Sequence, residues 1–310
     1  MKTFHDISSF KTNEKTFVTI GTFDGVHFGH KEIINKLVND AKLVGKKSVL
    51  LTFFPHPRMV LQKDAKIALI NTIEERTSLL EKTGLDYLII HPFSKAFSRL
   101  TALDFVRDLL VAQLNISKLI IGYDHHFGKN REGNIAQLTE YSHTYGFSVE
   151  EIPAQDIDDV SVSSTKIRRA LAVGNLKTAN RYLGTPFMLS GKVVNGKKLG
   201  GQIGFPTANI DILEDYKLIP KTGVYVVQSE INNKIIFGMM NIGNRPTVSG
   251  THQTIEVHFF DYNNDLYNTF LTIELLFFLR DEHKFDAIEN LILQLKKDEE
   301  TARDYLKKEL

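Results

Sequence analysis

The chain carries two hydrophobic textures in succession. Up to residue 183, short continuous apolar runs alternate with stretches in which apolar residues recur every three or four positions. The runs at 17–20, 49–54, 87–90, 119–121 and 148–152 predict buried strands, while Ile33, Ile34, Leu37, Val38, Ala41 and Val44 share one face of a predicted helix. Helix ends are marked too. Thr72 and Glu75 form a capping box, Gly84 is placed to stop that helix, Thr101 with Asp104 opens another, and Gly146 closes a third. This alternation predicts an α/β domain with a largely parallel sheet. After Gly184-Thr185-Pro186 the runs at 224–229, 235–240, 254–260 and 270–278 are separated by Gly, Asn and Pro, which predicts a small antiparallel barrel. Ile288, Leu291, Ile292 and Leu295 then return to helical spacing, so a C-terminal amphipathic helix follows.

Composition sharpens this picture. A chain of 310 residues with 42% apolar content has the length and core for two domains. Its net charge of +1, without a basic stripe, argues against nucleic acid as a partner. With no cysteine there is no disulfide, no thiolate nucleophile and no cysteine zinc site, which suits a reducing compartment. The first residues lack the apolar core of a signal peptide, and the apolar runs fall far short of the ~18 residues of a membrane span. The expectation is a cytoplasmic protein with no membrane partner.

Candidate chemistry gathers at strand ends. Thr22-Phe23-Asp24-Gly25-Val26-His27-Phe28-Gly29-His30 lies between the first strand and the first helix. Helix N-terminal N–H groups attract anions, and Gly21, Gly25 and Gly29 allow close backbone approach, so the turn, with Phe23 and Asp24 in it, reads as a triphosphate site. His27 and His30 are placed to reach the phosphates. A second cluster, at 122–133, follows the strand at 119–121; Asp124 is its functional candidate, and 129–132 read as a surface turn. A third puts the hydroxyls of Ser163, Ser164 and Thr165 ahead of Arg168. These groups suit the β,γ-phosphates, or else form a helix cap with a surface arginine.

In the second half, Gly204-Phe205-Pro206-Thr207-Ala208-Asn209 sets a hydroxyl and an amide oxygen on one side of an extended segment. Both are hard ligands suited to Mg²⁺ with a nucleotide, although a plain strand opening reads the same way. Glu256 alternates with Ile255 and Val257 and faces away from them. It is either a solvated carboxylate or a base for a substrate hydroxyl.

The first-half motifs, GTFDGVHFGH, TFFPHP at 52–57 and VSSTKIR at 162–168, resemble the HxGH nucleotidyltransferase superfamily and specifically bacterial FMN adenylyltransferase. GFPTANI at 204–210, PKTGVY at 220–225, NIGNRPTV at 241–248 and LRDEHKF at 279–285 resemble riboflavin kinase. Together they resemble the bifunctional prokaryotic enzymes that join the two. That resemblance implies a Rossmann-like adenylyltransferase domain over 1–183 and a β-barrel kinase domain over 187–310. It implies riboflavin, FMN and ATP as substrates, with Mg²⁺ as cofactor and FMN and FAD as products. His27 and His30 would stabilise adenylyl transfer, and Ser164, Thr165 and Arg168 would hold the departing pyrophosphate. Phe54, Pro55, His56, Pro57, Asp124 and Arg280 would lie by the flavin. Gly204, Thr207 and Asn209 would bind ATP, Thr207 and Asn209 also the metal, and Glu256 would be the general base. Four positions depart from the pattern: His125 replaces an aromatic residue, Thr185 and Gly201 replace arginines, and Asn268 replaces a glycine. Lys197 and Lys198 are candidates to compensate for Gly201. Alternatives within reach of the sequence are a monofunctional FAD synthetase with a weakened kinase domain, and a flavin-binding regulator.

Overall fold

The apolar runs of the first half become the centre of a six-stranded parallel sheet. The computed structural model describes residues 1–62, 67–123, 125–153, 156–157, 160–196, 199–247 and 250–309. It divides the chain into two units, Met1–Ser164 and Thr165–Leu310. In the first unit β1 (Lys2–Phe4), β2 (Thr16–Ile20), β3 (Lys47–Phe54), β4 (Tyr87–Pro92), β5 (Ile116–Gly122) and β6 (Ser148–Ile152) pair in the order β1-β4-β3-β2-β5-β6. Every pairing is parallel, with Val18 opposite Val49 and Leu51 opposite Ile89. All five residues of β2 are buried, the run expected of a strand covered on both faces. From β2 the chain crosses to β3 on one side and later to β5 on the other. That reversal opens a crevice at the carboxyl end of β2, where open α/β sheets bind ligands.

Helix α1 (Phe28–Leu43) packs on β2 and β3 through Ile34, Leu37 and Ala41. Val44 lies beyond its last turn and is 57% exposed, so the apolar period outruns the helix there. Helix α2 (Pro57–Leu61) follows β3, and α3 (Ile73–Glu81) begins on the expected box, with both the Thr72 and the Glu75 cap bonds formed. The helix at α4 (Ala102–Asp104) continues with wider, π-type bonding over Phe105–Gln113, and its Phe105, Val106, Leu109 and Leu110 cover one face of the sheet. Helix α5 (Ile135–Tyr145) ends on Gly146 in the left-handed conformation (φ 71°), as its position predicts. A short hairpin of β7 (Asp156–Ile157) and β8 (Val160–Ser161) precedes α6 (Ser164–Ala172) and α7 (Leu176–Leu183).

The second unit is a closed antiparallel barrel. Its strands, β9 (Phe187–Val194), β10 (Ala208–Asp211), β11 (Gly223–Ile231), β12 (Lys234–Thr247), β13 (Gly250–Phe259) and β14 (Phe270–Arg280), close in the order β10-β13-β12-β11-β14-β9. Strict alternation places Leu271, Ile273 and Leu275 inside. The single turn α8 (Leu199–Gln202) lies between β9 and β10. Helix α9 (Ile288–Glu309) covers the barrel with Leu295, Ala302, Tyr305 and Leu306, packed near Phe205, Val226 and Phe260. Ile288, expected on the packed face, is instead 56% exposed. The apolar stripe that matters begins about two turns later.

Candidate active sites in the two units

In the first unit the turn from Gly21 to His30 leaves the carboxyl end of β2 and becomes the start of α1. Phe23 (φ 47°) and Val26 (φ 39°) take left-handed conformations that non-glycine residues rarely adopt, and Gly25 (φ 89°) lies between them. Such backbone persists only where its surroundings fix it. Here Phe23 and Val26 are buried, Val26 N–H bonds Phe23 O at 3.0 Å, and Gly21 N–H reaches Leu51 O on β3 at 3.1 Å. The Asp24 carboxylate does the rest. It accepts from the N–H groups of Ile70 (3.1 Å) and Asn71 (3.2 Å) just before α3, and Arg76 stands 3.5 Å away. Asp24 is 1% exposed, so the structure gives it a structural hold on the turn rather than an open ATP contact.

His27 caps α1. Its Nδ1 accepts the His30 N–H at 3.4 Å, which leaves Nε2 to carry the proton of the neutral ring. The two imidazoles stack at 3.6 Å and 15°, with Phe23 5.0 Å from His30. Burial above all, then His27 and Arg76, push the His30 imidazole well below the usual histidine range. The His30 ring is therefore uncharged at neutral pH. Ser164 donates its hydroxyl to Asp24 O at 2.9 Å and so fastens the start of α6 to the turn. Thr165 is exposed and Arg168 half-buried further along α6, on the second unit's side of the division.

Phe54 and Pro55, joined by a cis peptide bond, end β3 at the same edge of the sheet. His56 caps α2 by accepting the Arg58 N–H at 3.2 Å, and Pro57 is the first helical residue. Asp124 lies outside the described residues. Its neighbour His125 stacks on Phe127 at 6.1 Å with Nε2 buried and unbonded, and burial pushes its imidazole down to about 4. A neutral ring thus fills the place of the usual aromatic. Lys129–Arg131 form the exposed turn expected.

In the barrel, register assembles the site. Asn209 on β10 pairs with Glu256 on β13, which pairs with Asn241 on β12, so the three side chains form one row across three strands. Thr207, just before β10, lines a cavity of about 320 Å³ with Val193, Ala208, Val257, Phe259, Tyr262 and Tyr267. The glycine-rich approach wraps over these groups. A Cβ on Gly196 would fall 2.1 Å from Asn209 Nδ2, and one on Gly200 would fall 2.2 Å from Phe205 O. Gly204, at φ 87°, turns the chain into the motif. Pattern alone left three residues of this site unmarked, Asn241, His258 and Glu282. His258 Nδ1 meets Pro206 O at 2.8 Å and holds the Thr207 segment on β13. The Glu282 carboxylate fills the space at Gly243, close to the Asn241 amide. All three lie within motifs visible in the sequence, and only register shows which side chains converge.

Arg280 is placed differently from its expected flavin contact. Its Nε and Nη2 bond the Asp298 carboxylate at 2.6–3.1 Å, and Nη1 donates to Asp281 O at 2.9 Å. The guanidinium is committed to tying β14 to α9.

Known proteins resemble both halves of this chain. The FAD synthetase family profile matches residues 9–166 and the riboflavin kinase profile matches residues 183–306. The bifunctional riboflavin kinase/FMN adenylyltransferase of Escherichia coli K12 is 36% identical over 302 residues, 97% of this chain and 96% of the relative. This chain belongs to the bifunctional riboflavin kinase/FMN adenylyltransferase family. The member from Listeria monocytogenes is 37% identical over 99% of both chains. A crystal structure of a macrolide-efflux protein from Streptococcus pneumoniae superposes with a TM-score of 0.89 at 32% identity, over 97% of this chain and 98% of that one. Among the described residues no helix is long and apolar enough to cross a membrane.

Within that family, the histidine turn falls in the FAD synthetase segment and the Asn209–Glu256–Asn241 row in the riboflavin kinase segment. The departures are accommodated locally. Asn268 takes φ 63°, which asparagine tolerates better than most residues, and its N–H bonds Val193 O. A Cβ at Gly201 would meet nothing within 4 Å, so a side chain fits there. Lys197 and Lys198, the candidate substitutes, lie outside the described residues.

Proposed function

We propose that the barrel converts riboflavin and ATP to FMN and ADP, and that the α/β unit converts FMN and ATP to FAD and pyrophosphate. The observation that carries this reading is the pair of constellations, one of stacked imidazoles and one built on a carboxylate, in a chain that matches both family profiles. We assign residues 1–183 to the adenylyltransferase and 187–310 to the kinase.

In the first unit ATP phosphates dock at the start of α1, where the Nε2–H groups of His27 and His30 meet charge that builds as an FMN phosphate oxygen attacks the α-phosphorus. The bond to the β-phosphate oxygen breaks and pyrophosphate leaves. The nucleophile is already an anion, so alignment and charge stabilisation suffice, and one such donor is worth about 10²–10³-fold. Ser164 spends its proton on Asp24 O and serves to hold the turn. Phe54 to Pro57 and His125 frame the flavin.

In the barrel the cavity beside Thr207 takes the adenine of ATP. The ribityl 5′-hydroxyl lies by Glu256, which accepts its proton as the oxygen attacks the γ-phosphorus and ADP departs. An alcohol is a poor nucleophile at neutral pH, so this proton transfer contributes about 10²–10⁴-fold. Among the described residues no cluster of three or more His, Asp or Glu side chains could hold a metal. The donors on offer are neutral oxygens beside one carboxylate, which fits a Mg²⁺ that arrives with the nucleotide, held by Thr207 and Asn209. When bound it supplies charge neutralisation at the phosphates.

The test is chromatographic separation of riboflavin, FMN and FAD after incubation with ATP and Mg²⁺. FMN should appear from riboflavin and FAD from FMN; a chain that makes no FAD from supplied FMN would overturn the reading.

A further inference from the structure

Arg76 lies on α3, outside every motif the sequence marks, and is 1% exposed. A buried guanidinium is costly unless paired, and the Asp24 carboxylate lies 3.5 Å from it and is equally buried. Buried ion pairs of this kind are often no more stable than apolar residues of similar size, so stability alone does not account for one. Its location is informative. Asp24 sits at the middle of the phosphate turn, between the strained Phe23 and Val26, and its carboxylate also takes the N–H groups of Ile70 and Asn71. Arg76 also acts electrostatically on His30.

We propose that the buried Asp24–Arg76 pair is a positioning element for adenylyl transfer, locking the histidine turn onto α3 and fixing a cation against the turn that carries His27 and His30. The inference rests on the adenylyl-transfer reading of that turn. His30 Nδ1 is buried and has no hydrogen-bond partner. A proton added there meets no acceptor, so a charged His30 must leave the stack and carry its Nε2–H away from the phosphates. Among the described residues the charged or titratable groups that act on His30 are His27 from the turn and Arg76 from α3; Asp24 faces Arg76, and Glu75 is engaged with the Thr72 N–H and the Asn71 amide. Burial, His27 and Arg76 all disfavour the charged imidazole. His30 therefore stays neutral and donating below the usual histidine range. Removing the cation lets the His30 pKa rise toward its ordinary value, so activity should be lost at a higher pH on acidification.

The experiment follows FAD formation from FMN against pH, with riboflavin phosphorylation by the same chain as the control for folding. Wild type must first make FAD; failure there overturns the functional reading and not this inference. With that established, Arg76→Met should lower kcat/KM for FAD formation by about 10- to 100-fold through misplacement of the histidines. It should also move the acid limb of the profile upward, and leave FMN formation unchanged. Arg76→Lys keeps the charge and should keep the limb near its wild-type position. A wild-type rate and limb in Arg76→Met overturn the proposal, as do equal losses in both variants with an unmoved limb. If Arg76→Met yields no folded chain, Asp24→Asn carries the test. It strips the partner and leaves the cation, so the limb should move down, and an unmoved limb overturns the proposal.

Discussion

The two sites hold their reactive groups in opposite ways. The histidine turn is buried, uses left-handed backbone at three successive or near-successive residues, and is fixed by bonds to β3, to the start of α3 and to Ser164. The barrel site uses regular strands, and its Asn209–Glu256–Asn241 row exists because three strands pair in register. On the proposed assignment of the two sites, the difference matches the nucleophiles. An FMN phosphate arrives charged, so its site needs rigid neutral donors and little proton chemistry. A ribityl hydroxyl must lose a proton, so its site needs an accessible carboxylate, and Glu256 is half-buried rather than enclosed.

That contrast can be broken from either side. Glu256→Gln should lower FMN formation by about 10²–10⁴-fold while riboflavin and ATP still bind by calorimetry. Phosphorylation near the wild-type rate in single turnover would remove Glu256 as the base. His30→Ala should lower FAD formation from FMN by about 10²–10³-fold, measured at saturating ATP. Asp298→Ala would leave Arg280 without its main partner, a loss of about 3 kcal/mol in urea unfolding of the barrel. A midpoint equal to wild type would show that α9 is held by its apolar face alone. The smallest effect is expected at Gly201, where space for a side chain exists. Gly201→Arg should lower the apparent KM for ATP in the kinase reaction about two- to fivefold, the scale of an exposed ion pair. An unchanged or raised value would mean that the phosphates are not within reach of that turn.

The parts legible in the sequence are those coded by near neighbours. Buried strands, the Thr72 box, the Gly146 cap and the barrel runs depend on residues within a few positions of one another, and they appear as expected. The three-residue β1 and the four-residue β10 are too short to show a period, and their pairing comes from strands far along the chain. The same distance hides function. Asp24 looks like a phosphate-turn carboxylate until Arg76 and the N–H groups before α3 close around it. Arg280 looks like a free cation until α9 brings Asp298 to it. Asn241 is one polar residue among several until register sets it beside Glu256. In each case the deciding partner is fixed by tertiary packing, which no local pattern encodes.

The central claim is that one chain holds two separable reactions, and the product ratios of two variants test it most directly. Supplied with riboflavin, ATP and Mg²⁺, His30→Ala should accumulate FMN at the wild-type rate with little or no FAD. Supplied with FMN, Glu256→Gln should make FAD at the wild-type rate while leaving riboflavin unphosphorylated. Loss of both activities from either substitution, in a chain that remains folded, would contradict the account.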